Sequence, residues 1–382
     1  MFFSSLRTTS FRNLADKEVF TGAKDVFLIG ENGQGKTNFL EALYFCAYAS
    51  SFRSVRDSEL AHNSYLRDGE KDFSTEVKIA QSVNDEICVK LEKGKKSIFI
   101  NGKRAEDRKE LLSIAPTIVF CHEDMEFVSG SPERRRWFFD QTLSLYDPVY
   151  LEDFRRYRRV LKSRNTLLRD FAQGKHSGNC SQASLEPVLD ALDPQFAMYG
   201  QQLMEKRQIA AQEFSLIFSR LYEEVSGISG ITVHYNQSWK TLTTKSPAFN
   251  GQASENILSY LQQRRSADMA AGVSLSGPHR DRYIFAHNDI DFTANASTGQ
   301  RRLLALLLRA AQARRFSAMT GQHPILLMDD VLLELDGEKR RRFLSVLPEY
   351  DQAFYTFLPD EPYQRYQKED TLVYTVKAGH LN

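Results

Sequence analysis

Eight consecutive residues, Gly30-Glu31-Asn32-Gly33-Gln34-Gly35-Lys36-Thr37, restrict this chain more than any other stretch. They fit G-x-x-x-x-G-K-[ST], a loop that cradles phosphate between a strand and a helix. Both flanks agree with that setting. Val26-Phe27-Leu28-Ile29 is an apolar run suited to a buried strand, and Phe39, Leu40, Leu43, Tyr44 and Ala47 recur at helical spacing after Lys36. The glycines let backbone N–H groups converge on an anion, Lys36 is placed to reach the β- and γ-phosphates, and the Thr37 hydroxyl is placed to ligate Mg²⁺. The alternative is a glycine-rich turn that merely caps a helix, and it accounts for neither the strand nor the Lys-Thr pair. The pattern predicts a nucleoside triphosphate site.

A chain of 382 residues has room for two or three domains around that loop. Its formal net charge of +1 gives no global attraction to polyanions, so any nucleic-acid binding must come from local patches. The four cysteines, Cys46, Cys88, Cys121 and Cys180, are scattered without a C-x-x-C pair, which argues against a zinc site or a disulfide framework. Residues 1–7 lack the apolar core of a signal peptide, and no run approaches the ~18 apolar residues of a spanning helix. The expectation is a cytoplasmic protein without a membrane partner.

Taken in order, residues 1–30 read as strands with a turn at Phe11-Arg12-Asn13-Leu14. Arg53 and Arg56 follow the first helix, either near phosphate or in a solvated loop. Alternation over Phe73–Ile79, Ile87–Leu91 and Ile98–Ile100, with turns at Lys93-Gly94-Lys95 and Asn101-Gly102, predicts an antiparallel meander. A buried strand at 116–120 comes next. From Ser131-Pro132-Glu133 the chain turns helical and basic: Arg134, Arg135, Arg136, Arg155, Arg156, Arg158, Arg159, Lys162 and Arg164 crowd one segment. Phe154, Tyr157, Leu161, Leu168 and Phe171 form an apolar stripe there. Residues 172–184 read as an exposed loop, after which Asp193-Pro194 is expected to cap a second long helix. The two helices form an antiparallel arm inserted into the nucleotide domain. A short strand at 231–235 and a helix around 253–268 precede Gly277-Pro278-His279-Arg280-Asp281, where the chain is expected to re-enter that domain.

Ser297-Thr298-Gly299-Gln300 then opens a helix, a second ready anion site. Ile325-Leu326-Leu327-Met328 is an apolar strand ending in Asp329-Asp330. Asp329 suits the Mg²⁺-coordinating acid that partners a phosphate loop. Leu333-Glu334-Leu335-Asp336 follows at once, and Phe354-Tyr355-Thr356 ends another strand.

This order of motifs resembles the ABC-type ATPase head, and more narrowly the RecF family, bacterial DNA replication and repair proteins among the SMC-like ATPases. Phe11-Arg12-Asn13, Gly30 to Thr37, Ser51-Phe52-Arg53, Asp57-Ser58-Glu59-Leu60, Gly130 to Arg136, Gly277 to Asp281, Ser297 to Gln300, Asp329-Asp330 and Glu334-Leu335-Asp336 carry the likeness nearly end to end. The resemblance implies an α/β fold, an ABC-type P-loop ATPase head with an inserted antiparallel helical arm. Head segments would span 1–130 and 271–382, and the arm 131–270. It implies ATP and Mg²⁺ held in cis by Gly30, Glu31, Asn32, Gly33, Gln34, Gly35, Lys36, Thr37 and Asp329. Ser297, Thr298, Gly299 and Gln300 would meet the γ-phosphate of a second copy, giving an ATP-dependent homodimer. Family members bind duplex DNA and single-strand/duplex junctions and work with RecO and RecR to help RecA load. Arg155, Arg156, Arg158, Arg159 and Lys162 are the candidate phosphate contacts, with a solvated helix face as the alternative.

The chain departs from ABC heads at several places. Asp330 stands where a Glu usually orients the attacking water, one methylene shorter, which predicts slow turnover, and the resemblance implies a weak, DNA-dependent ATPase whose hydrolysis works as a switch. Thr298 occupies a position often held by Gly. Cys121-His122-Glu123-Asp124 stands where a Gln-containing loop is usual, and Thr356 where a switch His is usual. Competing readings are an ABC-type subunit of a transporter or other system, opposed by the long basic arm, and another SMC-like bridging ATPase, which needs a far longer heptad repeat.

Overall fold

The structure is a computed structural model that describes residues 1–53, 55–62, 72–80, 85–174, 182–239, 251–332 and 335–382, without the side chains of 182–184 and 251–253. Cys180, Leu333 and Glu334 named above lie outside the described residues. The chain divides into two compact units, Met1–Met125 with Glu224–Gly227 and Ala296–Asn382, and Glu126–Glu223 with Ile228–Asn295.

The first unit is built on two sheets. Strands β3 (Asp25–Ile29), β8 (Thr117–Phe120), β12 (Ile325–Met328) and β13 (Gln352–Phe357) are buried along their whole length, as unbroken apolar runs are when a parallel sheet is covered on both faces. With β14 (Leu372–Lys377) and the short β15 (His380–Leu381) they order as β15-β14-β3-β13-β12-β8, parallel throughout except for the β14–β15 hairpin. The second sheet, β2-β1-β4-β5-β6-β7, is antiparallel: β1 (Phe2–Thr9), β2 (Glu18–Phe20), β4 (Phe73–Ala80), β5 (Asp85–Glu92), β6 (Lys95–Ile100) and β7 (Lys103–Arg104). Lys93-Gly94 and Asn101-Gly102 turn its hairpins with positive φ, the conformation that Asn-Gly turns favour. Helix α1 (Lys36–Tyr48) is buried on nearly all sides, its Phe39, Leu40, Leu43 and Phe45 joining one core with Phe3, Phe11, Val77, Leu327 and Phe354.

The second unit is an insertion of helices with a small sheet. Helices α4 (Pro132–Tyr146), α5 (Pro148–Ala172) and α6 (Gln182–Ser226) and the helix Gly251–Ala271 are joined by β11-β10-β9 (Ile290–Asp291, Arg282–His287, Ile231–Asn236). Ser131 stands at the N-cap of α4 with Pro132 behind it, as the sequence predicts. Tyr150, Tyr157, Phe196, Leu203, Trp239 and Leu261 share its core, so α5 and α6 pack with a third helix as well as with each other's neighbours.

Two expectations are corrected here. Asp193-Pro194 does not start a helix: α6 runs through both Pro187 and Pro194 from Gln182, which also shortens the predicted 172–184 loop. The Asp193 carboxylate cannot cap because it is buried against Arg164 (2.9 Å) and Arg265 (2.8 Å). A helix interior gives up roughly 3 kcal/mol at a proline, and burial of Phe196, Leu203 and Phe214 outweighs that. Next, residues 271–295 pack with the insertion, not with the head: β10 pairs residue for residue with β9. Gly277 to Asp281 goes with the insertion. Gly277 has φ +128 and a Cβ there would stand 2.9 Å from the Tyr157 hydroxyl, while Pro278 O and Asp281 both accept from Arg207. Among the described residues no helix is long and apolar enough to cross a membrane.

Candidate nucleotide site

The phosphate loop leaves β3 at Gly30 and enters α1 at Lys36. Gly30 cannot be replaced without moving β14, since a Cβ would stand 2.4 Å from Val376 O. Gly33 and Gly35 have φ of +79 and +116, which only glycine adopts freely. Lys36 is buried, its ammonium donating to Gly30 O (2.6 Å) and Glu31 O (3.2 Å) across the mouth of the loop. The N–H groups of the first turn of α1 have no side-chain cap, leaving a positive helix end inside the loop.

The end of β12 comes to the same place. The Thr37 hydroxyl donates to Asp329 Oδ1 at 2.8 Å across 292 positions of sequence. Burial pushes the Asp329 carboxyl up to about 7, opposed by the Thr37 hydrogen bond, helped by the Asp330 charge, opposed by Arg53 and helped by Glu123. Asp330 sits beside it at φ +52. Its N–H donates to Thr356 Oγ1 (2.7 Å) and Thr356 Oγ1 donates back to Asp330 Oδ1 (2.8 Å), so the hydroxyl in the switch position clamps the backbone and the carboxylate of one residue. Among the described residues, no Lys or Arg lies within ion-pair distance of Asp329 or Asp330, and no group of three or more His, Cys, Asp and Glu could hold a metal unaided. Two hard oxygens from Thr37 and Asp329 are the set that Mg²⁺ uses beside substrate phosphates, keeping waters at its other positions.

Several polar residues around the loop carry roles that local sequence does not announce. Asn13 Nδ2 donates to Gly33 O (3.2 Å), Asn38 Nδ2 to Asn13 Oδ1 (2.7 Å), and Arg53 Nη1 to Asn38 Oδ1 (2.9 Å). Arg12 and Arg53 both face the fully buried Glu41, at 2.9 and 3.6 Å. Of the two cations placed after α1, Arg53 therefore belongs to the wall of the site, whereas Arg56 is exposed. In the segment Cys121–Asp124, Asp124 is buried on Arg309 (2.8 Å), so Glu123 is its remaining acid toward Asp329.

The second anion-binding motif keeps apart. Ser297 caps the helix Thr298–Thr320: its hydroxyl accepts from Gln300 N (3.2 Å) and Gln300 Oε1 accepts from Ser297 N (2.8 Å). The Gln300 side chain is thereby committed to the cap, while the amides of Thr298 and Gly299 find no acceptor among the described residues. No hydrogen bond or ion pair among those residues joins this cap to Gly30–Thr37.

In the inserted unit the basic segment separates into two classes. Arg135 and Arg136 donate to the carbonyls of Val128 and Asp281, Arg134 pairs with Glu126, and Arg164 is fully buried on Asp193 and Asp268. Of the five candidate phosphate contacts, Arg155 faces Glu152 (3.4 Å) and Arg156 faces Asp153 (3.9 Å). Arg158 lies over the Phe154 ring, and Arg158, Arg159 and Lys162 are exposed. At i, i+3 and i+4 spacing, Arg155, Arg158, Arg159 and Lys162 share one side of α5.

Comparison with known proteins bears on this arrangement. The RecF/RecN/SMC N terminal domain family matches residues 2–379. The DNA replication and repair protein RecF of Treponema pallidum is 41% identical over 370 residues, 97% of this chain and 98% of that one. The chain belongs to the RecF family. RecF of Oenococcus oeni is 31% identical over 391 residues, covering 100% of this chain and 99% of its own. A solved structure of the recombination mediator RecF with ATP, from the RecFOR pathway, superimposes with TM-score 0.84 at 25% identity, over 100% of this chain and 97% of that one. An Smc head bound to the C-winged helix domain of ScpA matches at TM-score 0.53 and 16% identity, a likeness of fold alone. The α/β ATPase head with an inserted helical arm is thus the architecture of this RecF-family chain.

Proposed function

We propose that this RecF-family chain is an ATP-operated DNA clamp in replication and recombinational repair. The observation that carries this reading is the 2.8 Å contact between Thr37 and Asp329, which joins the phosphate loop to a strand-end acid that has no cation of its own. Gly30 to Thr37 would hold the triphosphate of ATP, with Lys36 moving from the loop carbonyls to the β- and γ-oxygens. Thr37 and Asp329 would hold Mg²⁺, which when bound neutralises phosphate charge and orients the γ-phosphoryl group. Asp330, fixed by Thr356, would orient the attacking water. Its short side chain supports slow turnover that works as a timer, because about 1 Å of misplacement can lower a rate roughly 10²-fold.

The open amides of Thr298 and Gly299 support the dimer. A solvent-facing helix N-terminus without an acceptor of its own chain suits the γ-phosphate held by a second copy, so ATP would fasten two copies together. Arg158, Arg159 and Lys162, with Arg155 and Arg156 beside them, would follow phosphates of duplex or gapped DNA. RecO and RecR are the expected partners and RecA loading the expected outcome. Light scattering with ATP or ADP, with and without gapped DNA, tests this. Dimers should form with ATP, persist in Lys36→Arg only if ATP still binds, and vanish in Ser297→Arg. Pairing that is equally strong without nucleotide would overturn the clamp.

A further inference from the structure

The turn between β14 and β15 meets the phosphate loop through two hydrogen bonds to Gln34. Ala378-Gly379 joins β14 to β15, both residues at positive φ (+49 and +79). Ala378 N donates to Gln34 Oε1 (2.7 Å) and Gly379 N donates to Gln34 O (2.8 Å), so one residue of the loop is gripped through its side chain and its carbonyl together. Gly379 O in turn accepts from Ala15 N (3.0 Å), and a Cβ on Gly379 would stand 1.8 Å from Asn13 O, so the turn lies flat on the segment whose Asn13 side chain holds Gly33 O.

Peptide planarity turns these contacts into aim. In a trans peptide the C=O of one residue and the N–H of the next point in opposite directions. Among the described residues no peptide bond is cis. Fixing Gln34 C=O on Gly379 therefore fixes the direction of Gly35 N–H, and that amide finds no acceptor among the described residues. We infer that the C-terminal turn Ala378-Gly379 is a positioning element of the nucleotide site, which aims the Gly35 amide at the phosphate through Gln34. Gln34, placed among the nucleotide contacts on sequence grounds, would serve with its side chain turned to the hairpin. A loop set before the anion arrives loses less ordering entropy on binding, so the gain appears as affinity. This inference rests on the reading of Gly30–Thr37 as an ATP site.

The test is calorimetric titration of the full chain with Mg·ATP, and steady-state hydrolysis, for the parent, Gln34→Ala, Gln34→Glu, Gly379→Ala and Lys36→Ala, with melting of each in the absence of nucleotide. Losing one accepted hydrogen bond should weaken ATP binding about three- to tenfold in Gln34→Ala and raise KM more than it lowers kcat. Gln34→Glu should recover most of that affinity, because a carboxylate still accepts from Ala378 N–H. Gly379→Ala should weaken binding further. If Gln34 touched the phosphate directly, the added negative charge would make Gln34→Glu the weaker of the pair, and that order overturns the inference. So does parent-like ATP affinity in Gln34→Ala. Should Gly379→Ala fail to fold, the Gln34 pair still decides. A parent chain that binds no ATP, like Lys36→Ala, would instead remove the nucleotide reading itself.

Discussion

Two sets of buried or half-buried carboxylates in this chain are treated in opposite ways. In the inserted unit Asp140 and Asp281 meet Arg207 (2.8 and 3.3 Å), and Asp193 and Asp268 meet Arg164 (2.9 and 2.8 Å). Tyr150 also donates to Asp140, and Tyr235 to Asp281. In the head, the hydrogen bonds that the Asp329 and Asp330 carboxylates accept among the described residues come from the hydroxyls of Thr37 and Thr356. The first set is supplied from within the chain, each carboxylate lying against a buried arginine. The second is incomplete in the way a site is: charge is held ready for a cation that must come from solution. Neutralised acids hold a fold in place, and the pair that meets hydroxyls instead of cations marks where chemistry is expected.

The largest expected effect comes from breaking the completed set. Arg207→Met leaves Asp140 and Asp281 buried without their cation, so urea unfolding should show a loss of about 3–5 kcal/mol. A loss under 1 kcal/mol would mean the cluster is better hydrated than its burial implies.

Breaking the incomplete set should do the reverse to stability. Burial holds the Asp329 carboxyl at about 7, above the ordinary carboxyl value of 3.8, so this residue withholds stability increasingly as pH rises from about 4 to 7, and fully above that. Asp329→Asn should therefore raise the metal-free melting temperature at pH 8 by several degrees, with little change at pH 4, and should abolish Mg²⁺-dependent hydrolysis. A variant that melts lower at pH 8 would place Asp329 with the structural acids.

Thr356→Val is a finer probe. It removes the hydroxyl shared by the Asp330 amide and carboxylate, and it should lower kcat about tenfold while leaving ATP affinity within about twofold of the parent. Equal losses in both would assign Thr356 to binding. Smallest is the surface of α5: Lys162→Gln should weaken DNA binding modestly and reduce the slope of log K against log salt by about one. An unchanged slope would leave Lys162 a solvated residue.

What could be read along the chain was whatever nearest neighbours decide. The phosphate loop declares itself because backbone conformation and anion chemistry demand glycines, a lysine and a threonine at set spacing. The meander shows in alternation and in Asn101-Gly102, the β12 strand in an unbroken apolar run ending in acid, and the Ser297 cap in a Ser-x-x-Gln pattern. Asp193-Pro194 misled for the same reason, since a cap signal is local and the buried Arg164 that claims Asp193 is not.

Only the tertiary structure decided which partners each polar group received. The crowd of arginines reads alike in sequence, yet Arg164 is a buried strut and Lys162 is free to meet solvent. Nothing near Gln34 names Ala378 and Gly379 as its partners, and nothing near Asp330 names Thr356. The physical reason is that local sequence sets backbone preference, whereas burial and charge compensation depend on atoms brought together from opposite ends of the chain.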